Sequence, residues 1–144
     1  MIRQANKDAK TEVIEMMKEF YLQTDFDTKI DLDNNDYQEQ LFNQIVAGRG
    51  VIFIEENIGL LVAIINASIF DPKTLTMNCL AWAVKPEHRN KSVGHDLIKA
   101  YIDYAEQLKE QGRIKYYTIG KTPKTPNINY EKLGFRKTDE TWAR

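Results

Sequence analysis

The sequence has little of several residue types that mark particular classes of protein. It contains one cysteine, Cys79, in 144 residues, which excludes an internal disulfide framework and fits a reducing compartment. Two histidines and one cysteine without paired spacing predict no metal site. No stretch approaches the ~20 apolar residues that a membrane span needs, and the N-terminus lacks an apolar signal core. We therefore expect a soluble, cytoplasmic protein without a membrane partner.

The net charge of −1 hides an asymmetry between the two halves of the chain. Residues 1–72 contain 6 Lys and Arg against 13 Asp and Glu, whereas residues 73–144 contain 14 against 8. The basic half does not predict a nucleic-acid partner, because its lysines alternate with acids along residues 96–110 and no recognition motif accompanies them. The asymmetry instead predicts that each half faces a different ligand.

The order of elements predicts one α/β domain over residues 1–144, with a mixed, mostly antiparallel sheet flanked by helices. Apolar residues at helical spacing predict helices from about Asp8, from about residue 36 to 47, and around residues 97–108. Gly134 is expected to end a short helix that Thr125 and Pro126 begin. Strands are predicted at residues 1–4, 51–54, 58–65, 75–84, 114–119 and 135–142.

The segment HRNKSVGH, residues 88–95, lies between a predicted buried strand and a predicted helix. A helix start has backbone N–H groups without intrahelical partners and a partial positive charge, so it attracts anions. Arg89 and Lys91 would strengthen that attraction, and Gly94 has no Cβ to keep a phosphate from the main chain. These features predict a phosphate-binding turn.

Two motifs resemble the GNAT acyltransferases. Residues 89–94, RNKSVG, resemble the family's motif Arg/Gln-x-x-Gly-x-Gly/Ala, which wraps the pyrophosphate of acetyl-CoA, except that Ser92 replaces the first glycine. The sequence NYEKLGF at residues 129–135 resembles the family's C-terminal signature. The resemblance implies a GNAT-like fold in which strands four and five splay apart, with acetyl-CoA as co-substrate. It implies cofactor contacts at Ala83, Val84, Arg89, Asn90, Lys91, Ser92, Val93, Gly94, His95 and Asn127.

By the same resemblance, Tyr130 is the candidate catalytic residue. A phenol within reach of the sulfur can donate a proton to the thiolate that leaves when an amine attacks a thioester. The alternative is that Tyr130 only packs against the sheet. Residues 75–84 lack the acidic residue that the family often uses as a base, and Cys79 among apolar neighbours is expected to be a small buried hydrophobe. We therefore expect direct transfer, with water or the acidic N-terminal face taking the proton.

The predicted activity is N-acetylation of a primary amine. An acidic cluster that would border the acceptor site favours a cationic small molecule or a lysine-bearing peptide, although a solvated loop is an equally simple interpretation. Its members are Asp25, Asp27, Asp31, Asp33, Asp36 and Glu39. The departures from the family pattern leave a second hypothesis open, a GNAT-like binding or inhibitory module with weak or no catalysis. Either hypothesis leaves room for a homodimer.

Overall fold

One sheet of five strands organises the fold. The computed structural model describes residues 1–22, 31–89, 91–121, 128–142 and 144. The first four strands are antiparallel to their neighbours, whereas the fifth runs parallel to the fourth. This arrangement confirms the predicted mixed, mostly antiparallel sheet. In spatial and chain order, the described strands are β1 (Arg3–Gln4), β2 (Gly50–Glu55), β3 (Gly59–Ala67), β4 (Leu75–Val84) and β5 (Tyr116–Thr118).

Three helices flank the sheet in the described part of the chain: α1 (Lys10–Leu22), α2 (Asn35–Gln44) and α3 (Val93–Glu110). Asn34 caps α2, because its side-chain oxygen accepts a hydrogen bond from Tyr37 N at 3.3 Å. At its other end α2 passes into a π-helical turn, Ile45–Arg49, which leads directly to β2. The three long helices predicted from the sequence are therefore present, with ends that differ by a few residues.

The two faces of the sheet bury separate apolar clusters. Under α3 the buried side chains include Trp82 from β4 and Leu97 and Tyr101 from the helix. On the opposite face, α1 and α2 bury Val13 and Phe42 against β2, β3 and part of β4. Because both faces are covered, β2 is buried along almost its whole length, and its sequence is a continuous apolar run rather than an alternation.

The β4 and β5 strands pair along only a short part of β4. Their register joins Thr76, Met77 and Asn78 to the three residues of β5. From Cys79 to Val84, β4 has no strand partner on that side among the described residues, although it continues to pair with β3 on the other. This arrangement gives β4 an open edge, which we define as residues 79–84. The open edge is the predicted divergence of strands four and five.

A β-bulge lies at the start of this open edge. Val62 pairs with Ala81 and Ala63 pairs with Cys79, so Leu80 is an extra residue on β4. Its side chain is 52% exposed. A bulge bends its strand and raises the local twist, and this one coincides with the point where the β4–β5 pairing ends. The bulge therefore helps to separate the two strands.

The C-terminal segment differs from the sequence prediction. Residues 135–142 were expected to form a last strand, but they adopt no regular structure. Only Phe135 and Trp142 in this segment are large and apolar, and the Trp142 side chain is 86% exposed. A strand needs an apolar face to bury, and this segment offers none. Instead, Lys137 and Glu140 pair with each other within the segment.

The predicted short helix before Gly134 is reduced to a turn in its described part, residues 130–134. Gly134 has a φ of 92°, and Phe135 N donates to Tyr130 O at 3.1 Å. Gly134 N also donates to Glu131 O at 3.0 Å. This pair of hydrogen bonds is the Schellman arrangement that ends a helical turn at glycine. The glycine stop is confirmed, whereas Thr125 and Pro126, the predicted helix start, lie outside the described residues.

Candidate functional site

The open edge of β4 ends at two of the residues predicted to contact a cofactor. Ala83 is half-buried and Val84 is buried. Both pair with β3 on one side, at Leu60 and Gly59. A strand edge without a neighbouring strand presents N–H and C=O groups in the plane of the sheet, and such groups suit an extended ligand with amide groups. Ala83 and Val84 thus lie at the end of the open edge, where Val84 O accepts the hydrogen bond from the Arg89 side chain.

The connection from β4 to α3 folds back onto the end of β4. It begins with a 3-10 turn, Pro86–His88. The side chain of Arg89 donates from Nε to Val84 O at 3.1 Å. Lys91 N donates to His88 O at 3.2 Å. The turn is therefore held against the strand by its own polar groups, with the Arg89 and Lys91 side chains both exposed. Asn90, also predicted here, lies outside the described residues.

The start of α3 supplies main-chain donors. Asp96 N donates to Ser92 O at 2.8 Å. The N–H groups of Val93, Gly94 and His95 precede that bond, in the first turn, where a helix has no intrahelical partners for them. Gly94 is buried and His95 is exposed. Together with the nearby cations, this turn has the donor groups and the positive charge that a pyrophosphate needs.

Ser92, which replaces a glycine of the family motif, causes no backbone strain. Its φ is −75° and its ψ is 0°, in a region open to all residues. The hydroxyl does not cap the helix but bonds Asp96 Oδ2 at 3.0 Å. The serine therefore leaves the backbone donors of the turn in place.

Tyr130 lies beside the open edge of β4. Its half-buried ring contacts Trp82 edge to face, with the ring centroids 6.1 Å apart. Lys121 Nζ lies over the same ring, 5.6 Å from the centroid. Tyr130 is the first residue of the Schellman turn, because its carbonyl oxygen accepts from Phe135 N. The structure thus brings the predicted catalytic phenol to the predicted cofactor edge, while Asn127 lies outside the described residues.

A carboxylate that the sequence analysis did not single out lies at the same end of the sheet. Glu19 of α1 lines a narrow cavity together with Ala83, Val84 and Lys85, and Lys85 Nζ lies 3.8 Å from Glu19 Oε2. β4 itself has no acidic residue, and α1 places one, Glu19, beside the end of this strand. Its only signal in the sequence is its place between Met16 and Phe20, two residues of the apolar stripe of α1.

The remaining candidates have less reactive positions. Burial raises the pKa of the Cys79 thiol to about 12, and its Sγ donates to Ala81 O at 3.5 Å. The thiol is therefore protonated at neutral pH and is a poor nucleophile. Within the described ranges, no group of three or more His, Cys, Asp and Glu side chains could hold a metal ion. No helix in the described part of the chain is long and apolar enough to cross a membrane.

The acidic cluster is only partly within the described residues. Asp31, Asp33, Asp36 and Glu39 are all exposed. Asp33 Oδ1 lies 4.0 Å from Lys18 Nζ, and Asp31 Oδ1 accepts from Asp33 N at 2.9 Å. Asp25 and Asp27 lie outside the described residues. The described members form a negatively charged surface at the beginning of α2.

Comparison with known proteins agrees with this arrangement. No curated protein sequence is significantly similar to the chain. The chain is similar to a structure described as a predicted acetyltransferase with acetyl-CoA from Clostridium acetobutylicum, at 17% identity over 100% of this chain and 94% of that chain, with a TM-score of 0.74. It is also similar to glucosamine-6-phosphate N-acetyltransferase from Arabidopsis thaliana, at 15% identity, 100% and 96% coverage and a TM-score of 0.67.

A third similar structure is an aminoglycoside acetyltransferase from an uncultured soil metagenomic sample in complex with sisomicin. It shares 12% identity over 100% of this chain and 92% of that chain, with a TM-score of 0.65. At these identities the three structures establish a shared fold. The sequence itself matches the Acetyltransferase (GNAT) family over residues 11–135, a span that includes the open edge of β4, the turn before α3 and Tyr130. The chain therefore belongs to the GNAT family of acetyltransferases.

Proposed function

We propose that this protein transfers the acetyl group of acetyl-CoA directly to a primary amine of a cationic acceptor. The observation that carries the proposal is the open edge of β4, which leads into the donor-rich start of α3 on one side and has Tyr130 next to it. A GNAT-like protein with these three features together has the parts needed both to bind the thioester and to assist its cleavage.

The first step is binding. The N–H groups at Val93, Gly94 and His95 bind the pyrophosphate, and Lys91 adds positive charge. Arg89, bonded to Val84 O, holds this turn against β4. The open edge of β4, which ends at Ala83 and Val84, then orients the extended arm along the strand. Fixing the thioester in this way removes most of the entropic cost of the reaction with the amine.

The second step is transfer. Acetyl-CoA supplies an acetyl thioester, whose carbonyl carbon forms a bond to the amine nitrogen while the bond to sulfur breaks. Tyr130 donates its phenolic proton to the departing sulfur, and the nitrogen gives up a proton to water. Glu19, paired with Lys85 at the end of β4, is a candidate to accept that proton through water.

The acidic cluster supports a cationic acceptor. Four exposed carboxylates in the described part of this cluster produce a negative field at the beginning of α2. Such a field concentrates cations and speeds their arrival. Exposed charges are screened beyond ~10 Å at about 0.1 M salt, so the effect is expected in KM at low salt rather than in kcat.

The test is a screen of primary amines of different charge, with release of the CoA thiol as the measurement. Cationic amines should give the highest kcat/KM. The Asp25→Asn, Asp27→Asn, Asp31→Asn triple variant should raise KM for the best cationic amine at low salt and leave kcat unchanged. A matched control replaces three exposed acids elsewhere, Asp103, Glu110 and Asp139, with their amides. Binding of acetyl-CoA without turnover on any amine would identify a binding module instead of an enzyme.

A further inference from the structure

A second concavity lies at the other end of the sheet, where β4 begins. Its volume is about 850 Å³, within the range of roughly 300–1,000 Å³ that is typical of small-molecule sites. Ile65, Leu75 and Ile114 contribute apolar surface to it. We call this concavity the basic groove, because five cationic side chains line it: Arg49, Lys73, Lys109, Arg113 and Lys115.

Four of these cations lie on three converging connections, and Lys109 lies in the last turn of α3. Arg49 follows Gly48, which has a φ of 122°, and its Nη1 donates to Gln44 Oε1 at 3.0 Å. Arg113 follows Gly112, which has a φ of 73°. Its N–H donates to Leu108 O at 2.9 Å, in a Schellman turn that ends α3. Two Gly-Arg pairs at positive-φ glycines therefore place an arginine on each of two sides of the groove.

The charge in the groove is not compensated. No Asp or Glu of the described chain lines it, and none of the five cations has an ion pair with a described residue. Lys18 and Lys85, outside the groove, both have acidic partners. Asp71, in the turn before Lys73, accepts hydrogen bonds from Lys73 N and Thr74 Oγ1 and does not line the groove. Like charges gathered without a counter-charge repel one another, so the groove is electrostatically costly unless an anion binds there.

The C-terminal end of α3 accounts for only part of this arrangement. Its partial negative charge attracts cations in and after the last turn, which suits Lys109, Arg113 and Lys115. Arg49 and Lys73 come from the other connections, before β2 and before β4, and are not part of that helix end. A role limited to helix stabilisation therefore leaves two of the five cations unexplained.

We propose that the basic groove binds a small polyanion that carries several linked phosphoryl groups. Arginine forks bind phosphate oxygens in pairs, and lysines add point charges around them. The groove is a site of its own, because β4 separates it from the candidate acetyl-CoA site by nine residue steps, about 30 Å at the rise of a β-strand. The phosphate chain is the common chemistry, whether it is free polyphosphate or part of a nucleotide.

The test is calorimetric titration with tripolyphosphate at low salt, with saturating acetyl-CoA present to occupy the other phosphate-binding turn. We expect one site for tripolyphosphate. Its affinity should be at least about 10-fold lower in the double variant Arg49→Gln, Arg113→Gln, the usual size for losing charge-assisted hydrogen bonds. The matched control is Lys7→Gln, Lys99→Gln, which has the same net charge of −3 (−1 − 2) and changes two exposed lysines outside the groove. The control should bind tripolyphosphate as the wild type does. Circular dichroism verifies the folding of both variants.

The comparison of ligands completes the test. Tripolyphosphate and ATP should both bind far more tightly than orthophosphate. Equal affinity for tripolyphosphate and ATP would assign recognition to the phosphate chain. Tighter binding of ATP would indicate an additional contact with the nucleoside. Equal weakening in the groove variant and the control would overturn the proposal, because it would indicate a net-charge effect. The proposal would also be overturned if tripolyphosphate did not bind, if orthophosphate bound equally well, or if a single-stranded oligonucleotide were markedly preferred. Without acetyl-CoA, the groove variant should still bind tripolyphosphate more weakly than the control variant, and this comparison does not depend on the proposed transferase activity.

Discussion

The ring of Tyr130 lies at 83° to the indole of Trp82, with its centroid 6.1 Å away. This contact joins the C-terminal turn to the open edge of β4, on which Trp82 lies. The Trp82 side chain is 1% exposed, so it provides a rigid surface for the tyrosine. The packing role of Tyr130 depends on its ring and the proposed catalytic role on its hydroxyl, and the two roles can therefore be separated.

Replacing Tyr130 with phenylalanine should lower kcat by roughly 100-fold or more, the usual size of an acid–base contribution. The ring contact with Trp82 remains, so KM for acetyl-CoA and the melting temperature should change little. Steady-state kinetics with the best amine from the acceptor screen measures this. The matched control is Tyr117→Phe, which loses a hydrogen bond to Glu106 Oε1 and should cost about 1 kcal/mol of stability without lowering kcat. Wild-type turnover in Tyr130→Phe would leave Tyr130 with a packing role only.

Replacing Gly94 with valine should abolish acetyl-CoA binding in a folded protein. A β-branched side chain in the first turn of α3 should occupy the approach of the pyrophosphate. Because Gly94 is buried, the valine can also crowd its neighbours, so circular dichroism and the melting temperature without ligand verify that the variant is folded. The measurement is the rise in melting temperature with acetyl-CoA, which follows mass action in the wild type and should shrink with salt.

Ser92→Gly is the control for Gly94→Val. The serine has a φ of −75°, so a glycine there relieves no strain, and the rise in melting temperature with acetyl-CoA should match that of the wild type. An unchanged rise in Gly94→Val would mean that the pyrophosphate does not approach this turn.

The thiol of Cys79 should react slowly with Ellman's reagent at pH 8. Burial raises its pKa to about 12 from 9.0, and the thiolate is the reacting form. The thiolate fraction is then on the order of 10³-fold smaller than in the unfolded chain. Cys79 is the only cysteine, so the reaction of the native protein and the reaction in urea report on the same group. Equal rates in the two conditions would show that the thiol is accessible and ionised in the native state.

The same thiol predicts a loss of stability at alkaline pH. Its pKa is higher in the folded state, so its contribution is fully present below about pH 9 and is lost as the pH rises toward about 12. Burial also raises the pKa values of Tyr101 and Tyr117. The Tyr117 effect is common to the wild type and to Cys79→Ala, whereas the charge of Cys79 adds to the raised pKa of Tyr101 only in the wild type, which acts in the same direction. Urea unfolding of the two proteins at pH 8 and pH 10.5 should show a larger loss of unfolding free energy in the wild type. Parallel losses would contradict this assignment.

Gly50→Ala should destabilise the protein by about 2–3 kcal/mol or more, the range expected for overpacking a core. A Cβ on Gly50 would lie 2.0 Å from Ala63 O, a backbone atom of the paired strand, so β2 and β3 must move apart. Gly120→Ala is the matched control, because a Cβ there would meet no atom of the described residues within 4 Å. Chemical denaturation gives both values. Equal stabilities of the two variants would contradict the close approach of β2 and β3.

The sequence predicted the elements whose signals are local. The strand Leu75–Val84 was predicted with both ends correct, because an apolar run is closed by Pro86. The register with β3 could not be predicted, since the bulge at Leu80 depends on which residues of β3 lie opposite. The last strand was wrong because the prediction gave weight to Phe135 and Trp142 and too little to the six polar residues between them.

In the candidate site, too, the residues with a local sequence signal could be predicted, and those placed by tertiary packing could not. The turn before α3 could be recognised because its motif is contiguous, and Tyr130 because it lies within NYEKLGF. Glu19 could not, because its place beside Ala83 and Val84 results from the packing of α1 on the sheet, about 65 residues earlier in the chain. The basic groove could not be predicted for a related reason, because its five cations come from the end of α3 and from three connections and converge only in the folded protein.

The open edge of β4 presents main-chain N–H and C=O groups. Every amino acid except proline carries both of them. Recognition through such groups depends on the path of the backbone and is almost indifferent to the side chains along it. Substitutions at residues 79–84 can therefore accumulate as long as the bulge at Leu80 and the buried faces of the sheet are kept. Substitutions along this edge are therefore tolerated, and residue identity is not expected to be conserved there. A family built around it can diverge widely in sequence while its members keep the same shape.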